Sequence, residues 1–262
     1  MTFEYDGIHI NYEIFEDKKN GSISNNRPLL LLHGWMARIE AMAPIYQYFK
    51  QTRKVIVLDF PGQGGKSDTL KKSWGVPEYA EMVKVFIEKL NIQGCDVIGH
   101  SFGGRVIIYL SSHYKELFHK IILTDAAGVK PKVKIQKLLK IYSYKMAKFF
   151  LKFVMPKEKY EKKVEEMRKK RGSSDYASLT SDVMRETFQK VIHLDLTSSL
   201  KEIEQPTLLV WGENDTDTPL YMAKIMEKEI KDSGIVVLEN AGHFSYLDNP
   251  QKYLLVANQF LN

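Results

Sequence analysis

A serine between two glycines is the first part of the sequence that could do chemistry. The run Gly99-His100-Ser101-Phe102-Gly103 follows apolar residues and precedes a segment with helical periodicity. A sharp strand-to-helix turn holds a serine hydroxyl clear of the backbone, and only small residues fit around so tight a bend. The pattern therefore predicts that Ser101 is a nucleophile, with a purely structural turn as the alternative. It also predicts that the N–H of Phe102, at the start of the helix, stabilises a developing oxyanion.

A second candidate stretch, His33-Gly34-Trp35, follows the apolar run Leu29–Leu32. Because Gly34 lets the backbone turn closely, the loop could present the N–H of Trp35 to a substrate. His33 could take part in chemistry, but a histidine beside a loop glycine is more often a structural hydrogen-bonding residue. We therefore interpret His33 as structural and keep its catalytic role as the alternative.

The chain length and cysteine content limit the class of protein. A chain of 262 residues accommodates one large α/β domain, or such a domain with an insertion. The single cysteine, Cys95, cannot form an internal disulfide, which is typical of a reducing compartment. The first residues lack a signal-peptide pattern, and no apolar run approaches the roughly 18 residues of a membrane helix. These features predict a cytoplasmic protein without membrane insertion.

Charge is distributed unevenly along the chain, whose formal net charge is +6. Residues 128–195 contain 18 Lys and Arg against 8 Asp and Glu, whereas the remainder contains 20 against 24. This asymmetry indicates a separate unit, which could attract an acidic substrate, an acidic protein or an anionic surface. The alternative is a solvated lysine-rich face. The Walker and dinucleotide-binding glycine spacings are absent, as are zinc-type Cys/His clusters. We expect no organic cofactor, no metal and no nucleic-acid partner.

Apolar strands alternate with helical segments on both sides of residues 128–195. The order begins with a hairpin over Phe3–Phe15 and a helix over Ala37–Thr52, and continues after 196 with further strand and helix patterns. Near-continuous apolar strands separated by helices predict a doubly wound parallel sheet. The intervening segment shows helical spacing over Ile135–Val154 and Asp182–Leu194. We therefore predict a core of residues 1–127 and 196–262 and a mostly helical insertion of 128–195.

Four motifs resemble those of the α/β-hydrolase superfamily: His33-Gly34-Trp35, Asp59-x-Pro61-Gly62, Gly99-x-Ser101-x-Gly103 and Gly242-His243. The order of serine, aspartate and histidine along the chain is also the one used by this fold. The resemblance covers essentially the whole chain. It implies a mostly parallel, twisted sheet with helices on both faces, and it implies that the insertion is a helical cap over the pocket.

The resemblance also implies roles for individual residues. Ser101 corresponds to the nucleophile, His243 to the general base and Asp215 to the acid that orients the histidine. Asp217, in the same loop, and Asp125, after an earlier strand, are alternatives for the acid. The backbone N–H groups of Trp35 and Phe102 correspond to the oxyanion hole.

These residues predict hydrolysis of a carboxylic ester with an apolar acyl part, through an acyl-serine intermediate. Hydrolysis of a carbon–carbon bond, an amide or a thioester uses the same catalytic residues and stays open as an alternative. A further alternative is that the basic insertion binds an acidic carrier protein that bears a methyl ester, which the serine then hydrolyses. A non-catalytic binding protein on the same scaffold is the alternative from another class. For the amphipathic stretch over Ile135–Val154 we favour packing on the core over binding to a membrane surface.

Overall fold

The computed structural model describes residues 1–17, 27–131, 151, 155–156, 159–160, 163, 179 and 181–262. An eight-stranded sheet forms the centre of this part of the chain. Its strands are β1 (Thr2–Tyr5), β2 (Ile8–Phe15), β3 (Leu29–Leu32), β4 (Val55–Leu58), β5 (Cys95–His100), β6 (Phe118–Thr124), β7 (Thr207–Gly212) and β8 (Ser233–Leu238). The described α-helices are α1 (Ala43–Phe49), α2 (Val76–Lys89), α3 (Phe102–His113), α4 (Asp182–His193), α5 (Tyr221–Glu229), α6 (Ser245–Asp248) and α7 (Pro250–Leu261).

The strands are ordered β1-β2-β4-β3-β5-β6-β7-β8 across the sheet. β1 and β2 form the predicted N-terminal hairpin, and β2 pairs with β4 in antiparallel fashion. All pairings from β4 to β8 are parallel. The prediction of a mostly parallel sheet is therefore confirmed, with an antiparallel hairpin at one edge.

Helices cover both faces of the sheet, which explains why its central strands are apolar throughout. In β3, Leu30 and Leu32 belong to the hydrophobic cluster that contains α2, α3 and α5 side chains, whereas Leu29 and Leu31 belong to the cluster under α1 and α7. Successive strand residues point to opposite faces, and all four leucines are buried. The fold therefore holds the carboxyl ends of six parallel strands in a fixed row.

The helix predicted for Ala37–Thr52 is not continuous. A 3₁₀ helix over Ile39–Met42 precedes α1, in which Pro44 occupies the first turn. Proline has no N–H to donate and fits best at the beginning of a helix, so the α-helix begins there. Two short elements were not predicted at all, namely α6 and the 3₁₀ helix over Thr197–Glu202.

Most of the segment between residues 128 and 195 lies outside the described residues. Of the amphipathic stretch predicted for Ile135–Val154, only Leu151 is described. The last predicted helix of the segment is present as α4, and its apolar side joins the core through Met184, Phe188 and Val191. The division into a core and a helical cap stays a prediction. Within the described part of the chain, no helix combines the length and apolarity needed to cross a membrane.

Candidate active site

The candidate catalytic residues lie at one edge of the sheet, where the parallel strands end. Ser101 follows β5, Asp215 lies in the loop after β7, and His243 lies in the loop after β8. β5 is separated from β7 by β6, both in sequence and in the sheet, and β8 follows β7, but the carboxyl ends of all three strands lie along the same edge. This edge is where open parallel sheets bind ligands.

Ser101 has the strained backbone that its motif predicts. Its φ is 49° and its ψ is −106°, a left-handed region that costs a non-glycine residue about 1–3 kcal/mol. The neighbouring glycines allow the turn, because a Cβ at Gly99 would meet Ile107 and the backbone of Gly103, and a Cβ at Gly103 would meet the carbonyl of Leu32. The serine N–H is held by the carbonyl of Thr124 at 3.0 Å. The sheet and α3 thus fix the serine in place.

A chain of two hydrogen bonds connects the serine to an aspartate through His243. The Oγ of Ser101 lies 3.0 Å from Nε2 of His243. On the other side of the ring, Nδ1 lies 2.9 Å from Oδ2 of Asp215. When Nδ1 carries the proton and donates it to the carboxylate, Nε2 is free to accept the serine proton.

Backbone and hydroxyl groups hold the Asp215 carboxylate in its orientation. Oδ1 accepts hydrogen bonds from the N–H groups of Asp217 (2.8 Å) and Thr218 (2.9 Å), and Oδ2 accepts one from the Thr218 hydroxyl (2.7 Å). Burial raises the pKa of this carboxyl, but the hydrogen bond and charge of His243 and the bonds from Thr218 outweigh burial. The pKa of Asp215 is therefore lowered from its ordinary value.

The pKa of His243 is raised. Burial lowers it, but the hydrogen bond to Asp215 and the charge of that carboxylate have a larger combined effect in the opposite direction. The loop of His243 is also tied to the serine turn, because Nε2 of His100 donates to the backbone carbonyl of His243 at 2.7 Å. His100 is buried, and burial lowers its pKa to about 3, so its ring is neutral near pH 7.

The other residues considered for acid or base roles have different partners. Asp125 is buried and uses both carboxylate oxygens on backbone and hydroxyl donors: Oδ1 accepts from the N–H of Gly212 at 2.8 Å, and Oδ2 accepts from Ser245 N and Oγ at 3.0 and 2.6 Å. Asp217 contributes its N–H to Asp215 and exposes its side chain. Neither carboxylate is hydrogen-bonded to His243 in the part of the chain that the structure describes.

His33 has the structural role that we favoured. Its Nε2 accepts the N–H of Phe60 at 3.0 Å, and Nδ1 donates to the carbonyl of Gly34 at 2.8 Å. The ring is buried, and burial lowers its pKa. His33 therefore joins the loop after β3 to the loop after β4.

The two predicted oxyanion donors lie beside the serine. Phe102 is the first residue of α3, where helix geometry leaves N–H groups without an intrahelical partner, and the Ser101 side chain does not cap the helix. Trp35 lies in the loop after β3. The N–H of the following residue, Met36, donates to Gln63 Oε1 at 2.6 Å. The indole of Trp35 packs edge-on against Phe102, with 5.4 Å between ring centroids. The oxyanion assignment stays a proposal.

A pocket of about 410 Å³ opens onto Ser101 and His243. Much of its lining is apolar, including Trp35, Phe102, Val129, Phe188, Val191, Ile192 and Met222. The lining also contains the guanidinium of Arg105 and the carboxylate of Asp217. Among the described residues, no group of three or more His, Cys, Asp or Glu could hold a metal ion.

Three residues of the site were not singled out from the sequence. Thr218 supports Asp215, His100 ties the base loop to the serine turn, and Arg105 lines the pocket. Of these three residues, Arg105 had the clearest signal in the sequence, because it is a charged residue within the otherwise apolar run of α3. His100 gave no comparable signal, because its partner His243 lies 143 residues away. Thr218 lies only three residues after Asp215, so its support of that carboxylate is a local contact that the loop sequence could have indicated.

Comparison with known proteins identifies the family. A family model described as the alpha/beta hydrolase family matches residues 29–254. The chain is 27% identical over 251 residues to the pimeloyl-[acyl-carrier protein] methyl ester esterase of Nitrosospira multiformis, covering 89% of this chain and 94% of that protein. It is 24% identical over 284 residues to the monoacylglycerol lipase ABHD6 of Mus musculus, covering 97% of this chain and 83% of that protein.

A solved structure agrees in fold. The crystal structure of a membrane phospholipase A, described as a bacterial virulence factor, superimposes with a TM-score of 0.75 at 22% identity. The match covers 100% of this chain and 84% of that chain. At this identity the likeness shows the fold alone. The family model spans most of the chain and includes the serine turn, both loops of the hydrogen-bonded chain and the connecting strands, and this protein therefore belongs to the alpha/beta hydrolase family.

Proposed function

We propose that the protein hydrolyses carboxylic esters through an acyl-serine intermediate. Ser101 is the nucleophile, His243 is the general base and acid, and Asp215 orients the histidine. The observation that carries the proposal is the pair of hydrogen bonds, 3.0 and 2.9 Å, that joins these three side chains at the wall of a pocket. Relatives whose names denote an ester hydrolase and a lipase support the choice of bond.

The reaction proceeds in two acyl transfers. His243 takes the hydroxyl proton as Ser101 Oγ attacks the ester carbonyl, and the backbone N–H groups of Trp35 and Phe102 stabilise the oxyanion. His243 then gives that proton to the departing alcohol, which leaves the acyl group on Ser101. In the second half, His243 takes a proton from water, the hydroxide attacks the acyl-serine, and the proton returns to Ser101 as the acid is released.

The state of His243 sets the pH dependence of this mechanism. Attack on the ester needs a neutral imidazole, and the pKa of His243 is raised by Asp215. Activity therefore increases as the pH rises through that pKa and is lost at lower pH, where the ring is protonated. No cofactor enters either step.

The test compares p-nitrophenyl acyl esters of increasing chain length with the wild type and Ser101→Ala. We expect activity that peaks at one chain length and falls by at least about 10³-fold in the variant. Ser112→Ala, on the same helix but outside the pocket lining, is the matched control and keeps wild-type activity. Full activity in Ser101→Ala would overturn the proposal. Covalent labelling of Ser101 by a fluorophosphonate separates an unreactive serine from an unsuitable ester.

A second candidate substrate is an ester carried by an acidic carrier protein. The surplus of basic residues over 128–195 favours it, as does the name of the Nitrosospira relative. Added salt should then weaken activity on a carrier-bound methyl ester but not on a small ester, since it screens charge attraction between the proteins. If added salt weakened activity on both esters equally, a carrier-bound substrate would be excluded.

Amides, thioesters and compounds with a scissile carbon–carbon bond should be tested beside the esters, because their hydrolysis uses the same three residues. The cytoplasmic location stays a prediction.

A further inference from the structure

We infer that Arg105 makes the site selective for esters whose acyl part bears a carboxylate, which the guanidinium binds inside the pocket. The inference deepens the proposed function and rests on it. It concerns which acyl group is accepted, whereas the serine chemistry is common to all esters.

Arg105 is placed by the same helix that places the nucleophile. It lies four residues after Ser101, and its N–H donates to the Ser101 carbonyl at 3.1 Å. Side chains four apart on a helix lie on the same face, and helical side chains lean toward the N-terminus. Both residues accordingly line the same pocket.

The guanidinium is buried but only part of it is used by the protein. The residue is 5% exposed. Its Nη1 donates to the carbonyls of Val191 (2.9 Å) and Leu194 (2.6 Å) at the end of α4. Within the described residues, Nε and Nη2 have no hydrogen-bond partner. These two nitrogens form the edge of the guanidinium that matches the two oxygens of a carboxylate.

In the described ranges, no carboxylate is hydrogen-bonded to the guanidinium of Arg105, whose two acceptors there are backbone carbonyls. Asp195 is the one carboxylate whose charge stabilises the guanidinium there, and that carboxylate accepts hydrogen bonds from Thr197 instead. Burial lowers the pKa of Arg105 to about 10, so the group stays charged near pH 7. A buried, unpaired charge is unfavourable, and a carboxylate bound in the pocket would neutralise it.

An alternative is that Arg105 only holds the end of α4 in place. Cations at the last turn of a helix stabilise its free carbonyls, and the two bonds from Nη1 are of that kind. The alternative predicts that replacing Arg105 loosens α4 and affects every substrate alike. Carboxylate binding predicts that only substrates with a carboxylate are affected.

The experiment measures kcat/KM for pairs of matched methyl esters: monomethyl adipate against methyl hexanoate, and monomethyl glutarate against methyl pentanoate. Each pair has the same chain length, and release of acid is followed at constant pH. The variants are Arg105→Met, which removes the charge, and Arg105→Lys, which keeps it without the planar fork. Thr187→Val is the control for α4, because it removes the bond from Trp74 N to the Thr187 hydroxyl (3.1 Å) and leaves Arg105 unchanged.

We expect the wild type to prefer the carboxylate ester in at least one pair. In Arg105→Met that preference should fall by about tenfold or more, as loss of a charge-assisted hydrogen bond implies, while the neutral ester changes little. Arg105→Lys should keep part of the preference, and Thr187→Val all of it. A wild type that prefers the neutral ester of every pair, or a preference that survives Arg105→Met, would overturn the inference.

A binding measurement covers the case in which neither ester of a pair is hydrolysed. Adipate and glutarate monoesters should protect Ser101 from a fluorophosphonate in the wild type, and protection should weaken by about tenfold in Arg105→Met. Neutral esters of the same length should protect both proteins equally. Labelling of Ser101 without any protection by the carboxylate compounds would overturn the inference, and failure of Ser101 to label would refute the proposed function itself.

Discussion

Neighbouring strands β6 and β7 are each followed by a buried aspartate at the same edge of the sheet. Among the residues that the structure describes, Asp125, after β6, accepts hydrogen bonds only from the backbone and hydroxyl groups of Gly212 and Ser245. Asp215, after β7, accepts from His243 in addition to Thr218 and Asp217. The two carboxylates have the same chemistry and similar burial, but one fastens loops together and the other orients an imidazole.

The pKa values of the two carboxyl groups are shifted in opposite directions. Burial raises the pKa of Asp125 to about 7, although three hydrogen bonds oppose it. At Asp215 the hydrogen bond and charge of His243 overcome burial and lower the pKa. The comparison teaches that the partner of a buried carboxylate decides its role more than its place in the sheet. Thr218 connects the two regions, because its hydroxyl lies 2.7 Å from Asp215 Oδ2 and 2.9 Å from the carbonyl of Asp125.

The largest effect on kcat is expected from Asp215→Asn. The amide keeps the size of the side chain but removes the charge that stabilises protonated His243, and it no longer enforces the reactive tautomer. We expect kcat for an accepted ester to fall by about 10³–10⁴-fold in a protein that remains folded, although the free energy of unfolding decreases by the contribution of the ionised carboxylate. Steady-state kinetics and urea unfolding of the same preparation measure both quantities.

Asp217→Asn is the matched control for that variant. It keeps the backbone N–H that Asp215 accepts and removes only an exposed charge that lines the pocket and raises the pKa of His243. At a pH where His243 is neutral in both proteins, kcat should therefore change by no more than about twofold. Should Asp125→Asn or Asp217→Asn instead abolish turnover while Asp215→Asn remains active, the acid has been assigned to the wrong loop.

An intermediate effect is expected from Thr218→Val, which preserves shape and removes the hydroxyl that connects the two regions. Asp215 loses a hydrogen bond to its charged form, so kcat should fall by about tenfold or somewhat more, and KM should change little. Thr218→Ser, which restores a hydroxyl, should recover most of the loss. Equal rates for Val and Ser at this position would show that the connection has no catalytic importance.

Much of this site could be predicted from the sequence because its signals are local. The apolar runs that become β3, β4, β5 and β7 and the glycines around Ser101 depend on neighbours within a few residues. The resemblance of the chain to a known family then gave the order of serine, aspartate and histidine. The prediction of a helix over Ala37–Thr52 was wrong in that the helix is not continuous: a 3₁₀ helix comes first, and the α-helix begins at the turn that contains Pro44.

The choice among three aspartates could not be made from local signals. Asp125 and Ser245 are 120 residues apart in sequence, and Asp215 and His243 are 28 apart, so their pairing depends on strand order and loop conformation. The same applies to Arg105, whose contacts with α4 span 86 and 89 residues. A helical pattern shows that an arginine occupies α3, but only packing shows that it is buried in a pocket.

The last effect is one on stability and not on rate, and it separates the two aspartates by sign: the pH dependence of the free energy of unfolding. The folded-state pKa of Asp125, about 7, lies above the unfolded value near 3.9, so the native protein binds the extra proton between these values. Its contribution to the free energy of unfolding must therefore decrease as the pH rises from about 4 to 7, with a slope of at most about 1.4 kcal/mol per pH unit. The lowered pKa of Asp215 acts in the opposite direction: its contribution is present above the unfolded value and is lost as the pH falls through the folded value.

Asp125→Asn isolates this slope, because the amide does not titrate and every histidine is the same in both proteins. We expect the difference in free energy of unfolding, wild type minus Asp125→Asn, to decrease from pH 4 to pH 7 and then level off. Urea unfolding at half-unit pH steps measures it. A difference that stays constant over this range would mean that Asp125 remains ionised in the folded protein, in which case its three donors outweigh burial and the contrast with Asp215 would be one of partners alone.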